Sequence, residues 1–347
     1  MIRVHRGCQR IDGIASPDVY FSPGYGRAAS IESDGEWVLL EALGGAWQIP
    51  MIVRTLHDGS KDAISPYGYS GVYASPLLSS AQFHDAGAAT VDCLQSLGVI
   101  SVLLRHSPLV PQAPPFPRQR SIISGHPTRS LELTDNETAW SGMEGRCRTS
   151  IRKATKNGYT AGVRQATDYD LAPGGDFRRI YEETMKHREA ASQYFFDSNY
   201  CKELLGGLGS NLLIAEVRDR VGVVVSATLL MLHAERLHYH LSGSNLGDAR
   251  MGSNNLMLWT AIQFAIGHGV REFHLGGGVG ALDNLYKFKR SLGGRELEYR
   301  VTGLIIDDEL YQMNTQNRAK VCEVTPETLL ASNFFPAYRA GIQQCLK

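Results

Sequence analysis

The segment Val270–Arg290 reads VREFHLGGGVGALDNLYKFKR, and it carries most of the information about the fold. Its first six residues have the apolar character of a buried strand. Glycines at 276–278 then form a turn, and a short helix follows that carries Lys287, Lys289 and Arg290 around two aromatic residues. Cations on a short helix beside a glycine turn suit a site that binds an anion or stabilises an oxyanion. A solvated basic helix after a tight turn is the alternative interpretation.

The composition around this segment is that of a globular protein with room for two domains. The chain has 347 residues, of which 43% are hydrophobic and 20% charged, and its formal net charge is zero. It is long enough to bury a full core, and its neutrality means that any contact with nucleic acid has to be a local patch.

The cysteines and the N-terminus bear on the compartment. The six cysteines form no Cys-x-x-Cys pair, which favours reduced thiols in a cytoplasmic protein over a disulfide or zinc framework. The N-terminus lacks the apolar core of a signal peptide, and no run of about 18 apolar residues is present. We therefore expect a cytoplasmic monomer without a metal site or a membrane span.

Outward from the opening segment, both halves of the chain alternate strands and helices. The first half predicts strands at 37–43 and 47–54 around a Gly44-Gly45 turn, a helix at 84–98, and strands at 99–105 and 128–133. The second half predicts a helix at 176–190, strands at 212–218, 221–231 and 236–243, a helix at 254–266, and a last strand at 297–307. The later order matches the acyltransferase fold called GNAT, in which a bent mixed sheet splays between its fourth and fifth strands.

Two segments between these halves mark a junction. Residues 108–117 carry five of the fourteen prolines and predict a loop, and Thr134–Glu137 resembles a helix start with a capping box. Residues 144–164 then show the strongest local charge bias, which a solvated helix also explains. The cations in that stretch, against the single acid Glu144, are Arg146, Arg148, Arg152, Lys153, Lys156 and Arg164.

Several motifs together resemble the Fem-type branch of the GNAT superfamily over about residues 60–340. They are Ser65–Gly71, Ile151–Gly158, Tyr239–Ser244, Asn254–Leu256, Gly276–Gly278, Leu285–Arg290 and Phe334–Arg339. The resemblance implies an α/β fold with mixed sheets, built as two tandem GNAT-like domains. Residues 1–145 would form the acceptor side, and residues 146–347 the catalytic donor side. Characterised Fem members move an amino acid from aminoacyl-tRNA to an amine of a cell-wall peptide or a peptide-like natural product.

The resemblance also implies roles for single residues. In the family an aromatic-lysine pair before a glycine assists the tetrahedral oxyanion and contacts the tRNA acceptor end. The pair falls here on Phe288 and Lys289, followed by Gly293. Lys289 would be the oxyanion cation, and Phe288 a stacking surface for a terminal base. A core Phe288 and an exposed Lys289 are the alternative. The tRNA contacts would come from Lys287, Arg290, Arg146 and Arg148.

By family position, the acceptor-binding residues border a groove between the domains. They are Tyr67, Tyr69, Arg152, Lys153 and Tyr239. Tyrosines pack on a sugar or a peptide, and basic residues pair with a carboxylate or a phosphate. Packing between domains is the alternative role for the tyrosines. The sequence departs from the cell-wall branch, because an Arg-Gly-Pro-type turn is replaced by Tyr67-Gly68-Tyr69 and a coiled-coil arm has no room. A muropeptide acceptor is therefore less favoured.

The donor has two candidates. An ordinary GNAT enzyme holds the acetyl-CoA pyrophosphate with a [QR]-x-x-G-x-[GA] turn at a helix N-terminus. The corresponding segment, Ala249–Asn254, keeps one glycine but has lost the basic or amide residue and the final small residue. We therefore expect aminoacyl-tRNA as co-substrate and no bound cofactor. A CoA-dependent N-acyltransferase that uses acetyl-CoA is the alternative.

Other interpretations rank lower. Gly276, Gly278 and Ala281 imitate a dinucleotide-binding pattern, but the segment after it does not predict a second βαβ unit. His238 and His240 share a strand face without a third metal ligand, although one of them could accept the proton of the amine. Asp283 is a candidate base, but a helix N-cap suits it better. A binding module without catalysis also remains open.

Overall fold

The computed structural model describes residues 1–7, 11, 13–111, 119–278, 280, 283–332 and 334–341. Most of the proline-rich segment and Ala281 of the dinucleotide-like pattern therefore lie outside the described residues. The chain divides into two compact units. The first unit comprises Met1–Gly125 and Glu298–Lys347, and the second unit comprises His126–Leu297.

The elements follow one another in a repeating α/β order. The chain up to the second unit forms β1 (Arg3–Arg6), α1 (Pro23–Ser33), β2 (Glu36–Ala42), β3 (Trp47–Thr55), β4 (Lys61–Ile64), β5 (Tyr73–Ala74), α2 (Ser80–Ser96) and β6 (Val99–His106), and enters β7 (Gln119–Glu132). The following segment forms α3 (Asn136–Gly142), α4 (Gly145–Lys156), β8 (Thr160–Gln165), α5 (Asp168–Leu171), α6 (Asp176–His187), α7 (Ser198–Leu208), β9 (Leu212–Arg218), β10 (Val224–His233), β11 (Arg236–Ser244), α8 (Leu246–Arg250), α9 (Ser253–Gly267), β12 (Glu272–Gly277) and α10 (Asn284–Arg290). The chain then forms β13 (Arg295–Ile305), α11 (Asp308–Cys322) and α12 (Pro326–Ala331). No helix among the described residues is long and apolar enough to cross a membrane.

The first unit is built on a sheet in the order β1-β2-β3-β4-β6-β13. Among the described strand pairings of this sheet, β4 with β6 is the parallel one. The crossover helix α2 begins with a capping box in which Ser79 and Gln82 bond to each other's backbone N–H groups. It packs Phe83 and Leu94 against the buried face of the sheet, where Trp47 is fully buried. The predicted strand pair and the helix before Gly98 are confirmed.

The second unit repeats this arrangement in a sheet of order β7-β12-β11-β10-β9-β8. In the part of this sheet that the structure describes, β11 and β12 form the parallel pair, and α9 crosses between them. In the strand order of both units, four antiparallel strands lead to a crossover helix and a parallel strand. The tandem α/β architecture with mixed sheets, expected from the sequence, is therefore confirmed.

The parallel pair of the second unit is short. Its described register joins only Arg236–His238 to Glu272–His274, whereas β11 continues to Ser244 and β12 continues to Gly277. We call the place where these two strands continue beyond their pairing the split. It is the position at which the GNAT sheet was expected to splay.

The bounds of the compact units differ from the predicted domains, 1–145 and 146–347. The C-terminal segment belongs to the first unit because β13 pairs with β6 from Arg300 to Ile305. A buried carboxylate fixes the same segment, since Asp62 is fully buried and accepts hydrogen bonds from Arg54 and Arg339. These pairings join residues far apart in sequence, so local patterns do not reveal them.

Three local predictions also change. The N-cap of α3 is Asp135, whose carboxylate accepts the backbone N–H of Thr138, rather than Thr134. The basic stretch 144–164 is not one helix, because α4 ends at Lys156 and a turn at Gly158 leads into β8. Helix α7 was not predicted, since its glycines weaken the helical pattern.

Candidate active site

The glycine turn is held tightly against the start of α10. Gly276 has a φ of +71°, and a Cβ at Gly278 would overlap the Asp283 carboxylate. Asp283 is the N-cap of α10, as the sequence favoured, and its carboxylate accepts the backbone N–H groups of Tyr286 at 2.7 Å and Gly280 at 3.1 Å. These contacts fix the turn against Asp283, and they set the direction in which α10 leaves the turn.

Lys289 lies buried at the split. Its side chain points away from solvent, with the residue only 5% exposed, and its Nζ donates a hydrogen bond of 2.7 Å to the carbonyl of Gly277 at the end of β12. The same Nζ lies 5.0 Å from the ring centroid of Tyr239, the first residue of β11 beyond the parallel pairing. Among the described residues, no carboxylate forms an ion pair with Lys289. The exposed Lys289 of the alternative interpretation is therefore not what the structure shows.

Burial controls the protonation of Lys289. Loss of water lowers the pKa of its ammonium group to about 7, and the nearby Asp283 carboxylate opposes this shift only in part. One carbonyl and one aromatic face do not satisfy all three N–H groups of an ammonium. The Lys289 ammonium therefore keeps an N–H group that can donate a hydrogen bond to an oxyanion that forms in the split.

The other residues of α10 point elsewhere. Phe288 is half-buried and packs against the apolar cluster under α9. Lys287 is exposed, and Arg290 lies with its Nε 3.6 Å from Glu144, which also pairs with Arg146 at 2.7 Å. Glu144 thus forms ion pairs with two of the four cations that were predicted to bind tRNA.

Arg148, the remaining member of that set, has a structural partner. Its guanidinium donates to the carbonyls of Ser141, at 3.1 Å, and of Met143, where α3 ends. These carbonyls would otherwise be left without partners at a helix C-terminus. Arg148 therefore fixes the connection between α3 and α4.

The two tyrosines predicted to bind the acceptor lie in an aromatic cluster of the first unit. The Tyr67 carbonyl accepts a hydrogen bond of 2.6 Å from the Tyr25 hydroxyl. The ring of Tyr69 packs edge-on against Tyr20 and Tyr299, with centroid distances of 6.0 and 5.1 Å. Burial raises the pKa of Tyr299 to about 12, so its hydroxyl stays protonated at neutral pH.

The other predicted acceptor residues lie in the second unit. Tyr239 contacts Lys289 in the split, whereas Arg152 and Lys153 lie on the exposed side of α4. The guanidinium of Arg152 lies 5.2 Å from the ring centroid of Trp140, and Lys153 donates to the carbonyl of Arg250 at 3.2 Å. The described contacts of Arg152 and Lys153 therefore do not include Tyr239.

An aromatic groove beside Arg152 was not predicted from the sequence. Trp140 of α3 and Trp259 of α9 line it, and their ring centroids lie 5.0 Å apart. The available signal was the placement of Trp140 just before a basic helix, together with Trp259 and Gln263 one turn apart on α9.

The strand histidines do not join Lys289. His240 shares a hydrogen bond of 2.8 Å with the Tyr200 hydroxyl, and burial lowers its pKa to about 3. His238 is buried with its ring centroid 6.0 Å from that of His274. Within the described part of the chain, no group of three or more His, Cys, Asp or Glu side chains is placed to hold a metal ion.

The turn before α9, where a CoA enzyme would hold pyrophosphate, is covered. Gly252 has a φ of +96°, and a Cβ there would overlap the carbonyl of Ser150 on α4. Ser253 is buried and bonds to the Ser226 hydroxyl at 2.7 Å. A carbonyl oxygen pressed against this turn opposes the approach of a phosphate.

Comparisons with known proteins bear on the fold around this site. Residues 145–290 match the family model described as an acetyltransferase (GNAT) domain. The solved structure of FemX is similar with a TM-score of 0.64 at 12% identity, covering 85% of this chain and 94% of that chain. L-PGS from Bacillus licheniformis gives 0.51 at 12% identity, with 83% and 86% covered. A protein of unknown function from Bacteroides thetaiotaomicron gives 0.56 at 10% identity, with 84% and 94% covered. No curated protein sequence matches the chain.

Residues 145–290 therefore carry an acetyltransferase (GNAT) domain. Over 85% of its length the chain has a fold similar to that of FemX, as the sequence motifs predicted.

Proposed function

We propose that this protein is an aminoacyltransferase that moves an amino acid from aminoacyl-tRNA to the amine of a peptide-like or natural-product acceptor. The observation that carries the proposal is the buried Lys289 at the split, held between the Gly277 carbonyl and the Tyr239 ring. A cation in this place faces the position at which a GNAT fold exposes its acyl donor.

The chemistry needs few groups. The acceptor amine attacks the ester carbonyl of the aminoacyl-tRNA, and a C–N bond forms as the carbonyl oxygen becomes an oxyanion. The ammonium of Lys289 stabilises that oxyanion. The intermediate then collapses, the C–O bond to the terminal ribose breaks, and the proton lost by the amine ends on the released ribose hydroxyl. Positioning of the two substrates supplies most of the remaining acceleration.

Two further observations support aminoacyl-tRNA as the donor. The turn at Gly252 lacks the basic or amide residue of a CoA site, and the Ser150 carbonyl covers it. Exposed cations on α4 and α10, among them Arg146, Lys153 and Lys287, offer a local basic surface in a chain without net charge.

A second candidate is an acyl-CoA-dependent N-acyltransferase. The match of residues 145–290 to an acetyltransferase domain favours it. An ammonium at the split would stabilise the oxyanion of a thioester substrate equally well. The two candidates therefore differ in the donor and not in the role of Lys289.

A donor assay separates them. Purified protein receives radiolabelled acetyl-CoA in one reaction and a pool of radiolabelled aminoacyl-tRNA in another, each with a small-molecule fraction of a cell extract as acceptor. We expect label to move from aminoacyl-tRNA into an amide that resists mild base. Transfer from acetyl-CoA alone would reject the preferred donor and establish the second candidate.

A further inference from the structure

The aromatic groove of the second unit is a built surface outside the split. It has a volume of about 520 Å³, and its floor is formed by the buried side chains of Ile151 and Leu256. Trp140 and Trp259 are half-buried on its wall, with an angle of 57° between their ring planes. Two large aromatic rings therefore keep part of their surface available at an open cavity.

The rim of the groove is positive. Arg152 and Lys156 stand one turn apart on α4, and both side chains are exposed. Neither forms an ion pair with any described residue, whereas Arg146 on the same helix is paired with Glu144. Two cations beside exposed indole rings fit an occupant that is both flat and anionic.

We propose that this groove binds unpaired nucleotides of the tRNA donor, an inference that rests on the proposed function. Nucleobases stack on tryptophan faces regardless of their sequence, and Arg152 and Lys156 neutralise the connecting phosphates. Gln263 on α9 and Thr155 on α4 supply hydrogen-bonding groups for base edges. An acidic peptide would satisfy the two cations but would leave the indole faces without a stacking partner. Arg152, which the sequence predicted to bind the acceptor, would then bind the donor.

The groove contributes binding and not chemistry. It shares no lining residue with the contacts of Lys289, which are Gly277 and Tyr239. Changes in the groove should therefore raise the KM for aminoacyl-tRNA and leave kcat nearly constant, whereas loss of Lys289 should lower kcat.

The test measures binding of fluorescently labelled, uncharged tRNA by anisotropy over a range of salt concentrations. Arg152→Gln and Lys156→Gln should each weaken binding and should each reduce the slope of log K against log salt by about 0.7. Trp259→Leu should weaken binding about tenfold without changing that slope. Lys202→Gln is the matched control, because Lys202 is an exposed lysine on α7, a helix that packs on the other face of the sheet near His240.

Trp259 also packs on the core, so the two exposed cation variants carry the test if Trp259→Leu does not fold. Groove variants that bind tRNA as tightly as the wild type does would contradict the proposal that the groove binds tRNA. They would not contradict the proposed aminoacyl transfer. Displacement of the tRNA by poly-glutamate, with no effect of a single-stranded oligoribonucleotide, would instead assign the groove to an acidic peptide. Failure of the proposed function is distinguished by the donor assay, in which only acetyl-CoA would react.

Discussion

Each unit contains a corresponding pair of parallel strands, β4 with β6 and β11 with β12, but the two pairs end differently. In the first unit the chain beyond β4 keeps following β6, because Ser65 donates its N–H to the Leu103 carbonyl at 2.8 Å and its hydroxyl accepts the N–H of Arg105 at 3.0 Å. Ser70 then donates to the Arg105 carbonyl at 2.9 Å. In the second unit the described pairing of β11 and β12 stops at His238, and Lys289 occupies the split.

The difference shows how one fold is used in two ways. A sealed pair leaves no position for a reacting carbonyl, and its turn packs tyrosines instead. An open pair leaves room for a buried cation whose pKa the surroundings control. We therefore expect changes at the open split to alter catalysis, and changes at the sealed pair to alter stability alone.

The largest expected effect comes from Lys289→Met, which removes the cation from the open split. We expect turnover with the true donor to fall by about 10²- to 10³-fold, as when one oxyanion donor is lost. The measurement is kcat under saturating substrate, with circular dichroism to check the fold. Lys202→Met on the exposed side of α7 is the control, and it should retain near wild-type kcat. A Lys289→Met enzyme within threefold of wild type would remove the central role from this residue.

The pH dependence tests the same residue in the unmodified protein. Because the pKa of Lys289 is lowered to about 7, its ammonium form is present below that pH and is lost as the pH rises through it. We expect kcat/KM to show a falling limb near pH 7, which reports the free enzyme. Lys289→Arg keeps its charge to high pH, so any residual activity of this variant should lack that limb. An identical limb in both enzymes would assign it to another group.

In the first unit, Asp62→Asn should cost stability and not chemistry. The substitution leaves Arg54 and Arg339 without their buried anion, and we expect a loss of about 3 kcal/mol in the free energy of unfolding. Urea unfolding gives that quantity, and kcat per folded molecule should stay constant. Glu309→Gln, at an exposed position of α11, serves as the control for a surface charge change. Unchanged stability would mean that the Asp62 network contributes nothing net.

The smallest expected effect is that of Ser65→Ala, which weakens the seal beside β6. It removes the acceptor for the Arg105 N–H, at a cost of about 1 kcal/mol. Urea unfolding measures the loss, and hydrogen exchange of the Arg105 amide should quicken. A drop in kcat as large as that of Lys289→Met would contradict the division of roles between the sealed and the open pair.

The sequence predicted those parts of the fold whose cause is local. The hairpin at Gly44-Gly45 and the N-cap at Asp283 follow from turn and capping chemistry within a few residues. Strand β4 was missed because Lys61 and Asp62 give it a polar pattern, and one of the partners that allow Asp62 to be buried is Arg339, near the other end of the chain.

The surroundings of Lys289 could be predicted only in part, for the same reason. Lys289 followed from the motif around the glycine turn, but its burial depends on how Tyr239 and Gly277 meet across two strands. The groove was not predicted because Trp140 and Trp259 are distant in sequence and become neighbours only when α3 packs on α9.

The interrupted first unit has a consequence for synthesis on the ribosome. Residues 126–297 form one continuous stretch, so every strand and helix around Lys289 has been translated before β13 is finished. The partner that β6 needs, Arg300–Ile305, emerges only afterwards, and Arg339 follows later still. The second unit can thus assemble during translation, while the incomplete sheet of the first unit still has an unpaired edge at β6. A nascent chain stalled near residue 297 would expose that edge to unwanted pairing.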